Sequence, residues 1–307
     1  MAKKIVFMGT PMFSVPILKS LYQNGYPIEC VYTQPPQKSQ RGQKINKSPV
    51  QKISETLNLE FRSPNSLKEN KDELEHFKSL DVDLAIVVAY GQIIPKEFLS
   101  LTKKGFINIH ASILPKWRGA APIQRSIMNL DKETGISIMK IEEQLDTGPV
   151  CNSYKINIEN NLNAEDVSEK LSNLAAEKIL DNIDDIYEDN AKFIEQDHSL
   201  ATYASKIQKL EGEINWKENA KIIIGKINGL YPAPGAYFIF NGERYKILKA
   251  EIGQTQGKPG EVLSDYLEIS CGDKKSIKIK EIQREGKNIL HGGKAGFSFL
   301  PWKKLNQ

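Results

Sequence analysis

Apolar residues in this chain fall into short runs divided by polar turns, and the character of the runs changes about two-thirds of the way along. Residues 5–8 form an apolar run ending at Gly9, which predicts a first strand. Pro16 opens a helical stretch over 17–24, Gly25 closes it, and 28–32 predicts the next strand, giving a βαβ unit. Residues 50–57 and 66–80 carry helical spacing, with Phe61 in a short strand between them. Residues 84–89 are continuously apolar, as expected of a central strand covered on both faces. A strand over 106–110, a helix over 121–130 and a strand over 135–141 follow, and Asn163 caps an amphipathic helix running to about Tyr187.

From His198 the pattern becomes a charged connection, then one helical face formed by Ala220, Ile223, Ile224 and Ile227. Short strands are predicted at 237–240, 245–250, 260–263, 267–271 and 276–282, with a turn at Asn241-Gly242. Such a series predicts a small β-barrel of the oligonucleotide-binding (OB) type. Two domains are therefore expected, 1–205 and 206–307, and no internal repeat is visible.

Composition narrows the class. With 40% hydrophobic and 26% charged residues the chain reads as globular, not disordered. It contains no run of ~18 apolar residues, so no transmembrane helix is expected, and the start reads as a strand and not a signal peptide. Cys30, Cys151 and Cys271 are far apart, without metal-ligand spacing, which points to a reducing compartment and no metal. A cytoplasmic monomer is the expectation. The first strand-to-helix turn is GTPMF, not G-x-G-x-x-G, so neither NAD nor FAD is predicted.

Charge is unevenly placed. From Lys206 onward 18 Lys and Arg face 11 Asp and Glu, whereas the preceding part is slightly acidic. A basic last third suits a polyanionic partner, although a solvated lysine surface would give the same count. A long polar loop, 33–49, carries Lys38, Arg41, Lys44 and Lys47 and no acid, and is suited to gripping phosphate.

The chemistry concentrates in FINIHASILPKWRGAAP, 106–122. Asn108 and His110 are two apart on a predicted strand, so they share a face. Asp146, in LDTGP, is a third candidate that would orient the imidazole and stabilise its charged form. Asn108 would donate to a developing oxyanion. An oxyanion donor, a base and an acid suit direct acyl transfer to a substrate amine. Ser112 follows His110 by two, but HAS is no nucleophile elbow. A lone Asp-Thr-Gly would make an aspartic protease only as a dimer.

These stretches resemble the methionyl-tRNA formyltransferase family: VFMGTPMFSVPIL, VYTQP with RGQK and SPV, VVAYGQIIP, the INIHASILPKWRGAAPIQ run, LDTGPV, INW and IQREGK, in the family's order. The resemblance implies an α/β, Rossmann-like formyltransferase domain that is catalytic and folate-binding, followed by a C-terminal OB-like β-barrel that helps hold tRNA. It implies 10-formyltetrahydrofolate as donor and methionyl initiator tRNA as acceptor. The family's Asn/His/Asp set falls on Asn108, His110 and Asp146. The run Ser112, Ile113, Leu114, Pro115 falls on the folate site, Ile113 replacing a Leu of the family's pattern, and Gly91, which follows the carboxyl end of the 84–89 strand where ligands bind in open α/β sheets, is expected to line the same pocket. Arg41, with Lys38, Lys44, Lys206 and Lys209, falls on the tRNA side. The last ~20 residues depart from the expected pattern. Two alternatives stand beside this: formylation of another amine, such as glycinamide ribonucleotide or an amino-sugar nucleotide, and a non-catalytic RNA-binding protein.

Overall fold

The computed structural model describes residues 3–39, 44–264 and 267–291. The chain divides into two compact units. Unit 1 comprises 1–119, 134–156 and 168–203, and unit 2 comprises 120–133, 157–167 and 204–307. The expected division at 205/206 lies next to the last of these crossings. The helix at 122–128 and the start of the long helix group with the C-terminal unit instead, because that unit supplies the surface on which the first of them packs.

Unit 1 is built on one sheet. Its strands in chain order are β1 (Ile5–Gly9), β2 (Ile28–Tyr32), a hairpin β3 (Gln37–Ser39) and β4 (Lys44–Asn46) outside the sheet, β5 (Phe61–Arg62), β6 (Leu84–Val88), β7 (Phe106–His110), a two-residue β8 (Arg118–Gly119) that is also outside the sheet, β9 (Glu133–Lys140) and β10 (Val150–Asn157). The spatial order is β10-β9-β7-β6-β1-β2-β5. From β7 to β5 the pairing is parallel, and β9 runs antiparallel to β7. The chain moves outward from β1 through β2 to β5, then returns to β6 on the other side of β1. The carboxyl ends of β1 and β6 therefore flank the point where strand order reverses, the usual ligand position in such sheets. Helices α1 (Val15–Gln23), α2 (Pro49–Thr56), α3 (Lys71–Ser79) and α4 (Lys96–Leu99) connect the parallel strands.

Both β1 and β6 are buried along their whole length, which is why their sequences show no alternation. On one face, Tyr32, Phe77, Phe98 and Phe106 join a single apolar cluster. Phe77 stacks on Phe106 at 5.6 Å and meets Phe98 edge-on at 5.5 Å.

The long loop predicted over 33–49 is only partly irregular, because β3 and β4 pair within it. Strand β10 was not foreseen: VCNSYKIN is largely polar, and its burial follows no clean period at the sheet edge. The helix capped by Asn163 is α6 (Ala164–Tyr187). Asn163 Oδ1 accepts from the main-chain N–H of Glu165 and Asp166, and Asp166 reaches back to the N–H of Asn163. No helix among the described residues is long and apolar enough to cross a membrane.

Unit 2 contains α5 (Pro122–Met128), α7 (Ala220–Gly229) and an antiparallel sheet. A short strand β11 (Tyr203–Ala204) leads in. The sheet strands are β12 (Ala236–Phe240), β13 (Glu243–Gly253), β14 (Val262–Ser264), β15 (Glu268–Ser270), β16 (Ser276–Arg284) and β17 (Ile289–His291). Their order is β12-β13-β16-β15-β14, with β17 also on β16. Asn241 and Gly242 both take positive φ, 47° and 75°, as a two-residue hairpin turn requires. Register shifts at Lys249 interrupt the β13–β16 ladder. The expected barrel is thus a six-stranded antiparallel sheet, and among the described residues no pairing joins β12 to β14. Of the final stretch, 292–307 lies outside the described residues.

Candidate active site

Asn108 and His110 stand at the carboxyl end of β7, on one face, as their two-residue spacing requires. The strand is pinned on both sides, Val87 lying opposite Asn108 in β6 and Ser137 opposite His110 in β9. Asp146 arrives from the loop between β9 and β10. Its Oδ2 lies 3.6 Å from His110 Nδ1, and its Oδ1 accepts from Asn108 Nδ2 at 3.4 Å. The three residues are thus one cluster. The imidazole and carboxylate are 7% and 12% exposed, so water screens their interaction only weakly.

The other imidazole nitrogen is held more tightly. His110 Nε2 lies 2.9 Å from the main-chain oxygen of Trp117. A carbonyl only accepts, so Nε2 carries the hydrogen and donates it. In the neutral ring, Nδ1 then presents its lone pair on the side of Asp146. At 3.6 Å the Asp146 carboxylate is beyond hydrogen-bond reach of Nδ1, and the shorter contact to the ring is that of the Trp117 carbonyl. The carboxylate remains placed to stabilise a proton arriving at Nδ1.

Backbone geometry shapes both partners. Trp117 and Asp146 take positive φ, 61° and 53°, a region that residues with side chains seldom occupy. The N–H of Gly119 donates to Asp146 Oδ2 at 2.8 Å. Gly148 is required on steric grounds, since a Cβ there would lie 2.2 Å from the main-chain oxygen of Lys140.

The loop after β7 answers the question about Ser112. Its hydroxyl is fully buried and donates to the Lys116 carbonyl at 2.6 Å, so it is closed off from any substrate. Ser137 Oγ donates to Ser112 O at 2.8 Å and accepts from the N–H of Leu114 at 3.0 Å. Ile113 packs where Gly135 leaves room. The Ser112 hydroxyl and the Ile113 side chain are thus taken up by contacts within the protein. Gly91, at φ 84°, follows β6 at the strand-order reversal, and its carbonyl accepts from Gln34 Nε2 at 2.8 Å. Thr10 and Ser14 tie the turn after β1 to the same loop, donating to the carbonyls of Tyr90 and Val88 at 2.7 and 2.6 Å.

Among the basic candidates, Arg41 lies outside the described residues, while Lys38 and Lys44 belong to the hairpin strands β3 and β4. Lys206 and Lys209 are exposed in unit 2.

Residues that sequence reasoning missed are Trp117 and Gly119, which act through the main chain, and the pair Arg118 and Gln196 behind them. The first three lie in the WRG run, while Gln196 carries no sequence signal. The structure also brings together Cys30, Glu60 and His76 from three separate elements. Burial, with the Glu60 charge adding to it, pushes the Cys30 thiol up to about 12.

Comparison with known proteins shows the family. Residues 3–183 match the formyl transferase family model, and 206–295 match the model for the formyl transferase C-terminal domain. The chain is 70% identical over 287 residues to a methionyl-tRNA formyltransferase of Pelagibacter ubique (strain HTCC1062), covering 94% of this chain and 93% of that protein. The chain belongs to the methionyl-tRNA formyltransferase family. A second member, from Brucella canis (strain ATCC 23365 / NCTC 10854 / RM-666), is 42% identical over 92% of this chain and 94% of its own length. Among solved structures, the sugar 3N-formyl transferase WlaRD, determined with dTDP and 5-N-formyl-THF, superposes with a TM-score of 0.70 at 22% identity. That match covers 94% of this chain and 100% of WlaRD. HypX from Aquifex aeolicus, in complex with tetrahydrofolic acid, gives 0.64 at 17% identity over 100% of this chain and 50% of HypX. These two share the formyltransferase fold with this family member.

Proposed function

We propose that this chain transfers a formyl group from 10-formyltetrahydrofolate to the amino group of methionyl initiator tRNA, with Asn108, His110 and Asp146 carrying the chemistry. The observation that supports this reading is the cluster at the end of β7: an amide donor, an imidazole with a free Nδ1 lone pair, and a carboxylate beside that nitrogen. The identity to curated methionyl-tRNA formyltransferases over nearly the whole chain supplies the substrate pair. The amine attacks the formyl carbon of the donor directly; as the new N–C bond forms, the bond from that carbon to N10 of the folate breaks, and tetrahydrofolate leaves, taking up at N10 the proton that His110 has removed from the amine. No side-chain nucleophile is needed, in keeping with the buried Ser112 hydroxyl.

His110 accepts the amine proton at Nδ1, since Nε2 is already bonded to Trp117. Asp146 then faces a positive imidazolium across a short, poorly hydrated gap and stabilises it. Asn108 has two amide hydrogens. One points to Asp146, and the other is available to the oxygen of the formyl group as negative charge develops there. The donor set therefore fits an acylating reagent with one carbonyl oxygen. The main chain around Gly91 and the Ser112–Pro115 loop flank the strand-order reversal, and we assign the folate to that place. Arg41, with Lys38 and Lys44, is assigned to the tRNA acceptor end, and Lys206 and Lys209 to its phosphates.

The test is formylation of charged initiator tRNA against charged elongator tRNA, with amino-sugar nucleotides as a further acceptor. Transfer to the initiator species is expected. Transfer only to the sugar nucleotide would assign the chain to the other branch that shares its fold.

A further inference from the structure

Behind the Asp146 turn lies a buried polar layer that the acyl-transfer chemistry does not use. Arg118 is 2% exposed. Its Nε and Nη2 both donate to Gln196 Oε1, at 3.1 and 2.7 Å, and Nη2 also donates to His198 Nδ1 at 3.0 Å. Among the described residues its side-chain partners are thus an amide and an imidazole, both neutral acceptors. A guanidinium removed from water without a carboxylate is costly, and structures that keep one generally obtain something for it. What it obtains is visible at the other end of Gln196. With its oxygen held by Arg118, the amide has one orientation, and Nε2 donates to two main-chain oxygens, Asp146 at 3.0 Å and Gly148 at 2.7 Å.

Those carbonyls belong to the turn in which Asp146 sits at φ 53°. The same turn is held from the front by the N–H of Gly119, the residue after Arg118, at 2.8 Å from Asp146 Oδ2. Trp117, the residue before Arg118, holds the His110 ring. Three consecutive residues therefore set both the base and the acid: Trp117 through its carbonyl, Gly119 through its N–H, and Arg118 through Gln196.

We propose that Arg118 and Gln196 are positioning residues for formyl transfer, clamping the strained Asp146–Gly148 turn so that the carboxylate faces His110 Nδ1. The proposal rests on the assignment of His110 and Asp146 given above. Neither positioning residue touches substrate. Their contribution lies in keeping the carboxylate within its short distance of the imidazole, where a displacement of about 1 Å costs on the order of a hundredfold in rate.

The discriminating variant is Gln196→Glu. A carboxylate at 196 pairs with the Arg118 guanidinium at least as well as the amide does, so the buried charge keeps a partner and the fold is retained. It has no hydrogen to donate to the carbonyls of Asp146 and Gly148, and it repels them. If Gln196 only solvates Arg118, Gln196→Glu leaves catalysis intact. If it clamps the turn, kcat falls about 10- to 100-fold, while KM for the folate donor and for the tRNA each stay within about twofold, because the turn is assigned to the chemistry and not to binding. Thermal denaturation of each variant is run alongside. The second measurement is a double-mutant cycle with Asp146→Asn. A clamp acting through Asp146 predicts that Gln196→Glu adds little to the loss already caused by Asp146→Asn.

Wild-type kcat in a stable Gln196→Glu protein, or full additivity in the cycle, overturns the proposal. The Asp146→Asn single variant separates this failure from failure of the underlying assignment. A severe loss there with Gln196→Glu unimpaired removes the clamp alone. Undiminished turnover in Asp146→Asn removes both.

Discussion

At the scale of residues, the site is a short list of atoms whose roles follow from what each can donate or accept. His110→Ala is expected to lower turnover by about two to four decades, the range typical for loss of a general base, with the protein's melting temperature as control. Gly148→Ala makes a different point. Its new Cβ would lie 2.2 Å from the Lys140 carbonyl oxygen, so the turn bearing Asp146 must shift. The expected outcome is a stability loss of about 1–3 kcal/mol in urea denaturation, together with a fall in kcat, although position 148 carries no reactive group. Half of this site was legible in the sequence. The spacing of Asn108 and His110 on an apolar strand put them side by side by the period of two alone. Asp146 stood out as a carboxylate in a tight turn, but nothing in LDTGP says which strand end it will face. The Trp117 carbonyl and the Gly119 N–H were not legible, because every residue has such groups and only the fold decides which are used.

Elements that were plain in the sequence are those with a strong period or uniform burial, such as β1, β6, α6 and the Asn241-Gly242 hairpin. Those that were missed are short or lie at an edge: β10, β17 and the hairpin in the 33–49 loop. Their stability comes from neighbours and not from a pattern of their own. Helix pairing in unit 2 was also invisible. Gly225 and Gly229 lie four apart on α7, and the α5 backbone passes close to both. A Cβ at 229 would stand 2.6 Å from Met128 Cγ and 2.9 Å from the Gln124 oxygen. Gly229→Ala should therefore destabilise unit 2 by about 1–3 kcal/mol, despite the better helix propensity of Ala, and calorimetry should show it as a lowered transition.

A second interaction in this unit is pH-sensitive. Arg125 forks onto Glu211, its Nη1 and Nη2 donating to the two carboxylate oxygens at 2.6 and 3.1 Å. The Arg125 hydrogen bonds hold the Glu211 carboxyl below the usual carboxylate range, against the opposing effect of burial. A depressed value means that the stabilisation is fully present above the unfolded carboxyl's value, about 4.3, and is lost as pH falls through the folded one. Glu211→Gln should lower the melting temperature at pH 7, and its difference from the parent should shrink as pH falls below the unfolded carboxyl's value. A constant difference across that range would place the effect in packing.

For the whole molecule, the salient fact is that the chain enters and leaves the C-terminal unit more than once. This changes how the basic last third can be tested. Deleting everything from Lys206 would remove α7 and strip α5 of its partner, so lost tRNA binding would be confounded with damage to the fold. Charge substitution avoids this. Replacing exposed Lys206 and Lys209 by Gln should reduce the slope of log affinity against log salt by roughly one for each phosphate no longer neutralised. An unaltered slope would mean that these lysines merely face solvent.

The same interleaving bears on synthesis. Helix α5 leaves the ribosome early, yet the glycine-bearing face of α7 that receives it is encoded roughly 90 residues later, about 5–18 s at ordinary elongation rates of roughly 5–20 residues per second. During that interval Met128, which packs against the core of the C-terminal unit in the finished protein, lacks that cover. A nascent chain of this protein therefore carries a sticky helix in waiting, and the segment around 122–128 is where a chaperone would be found holding it.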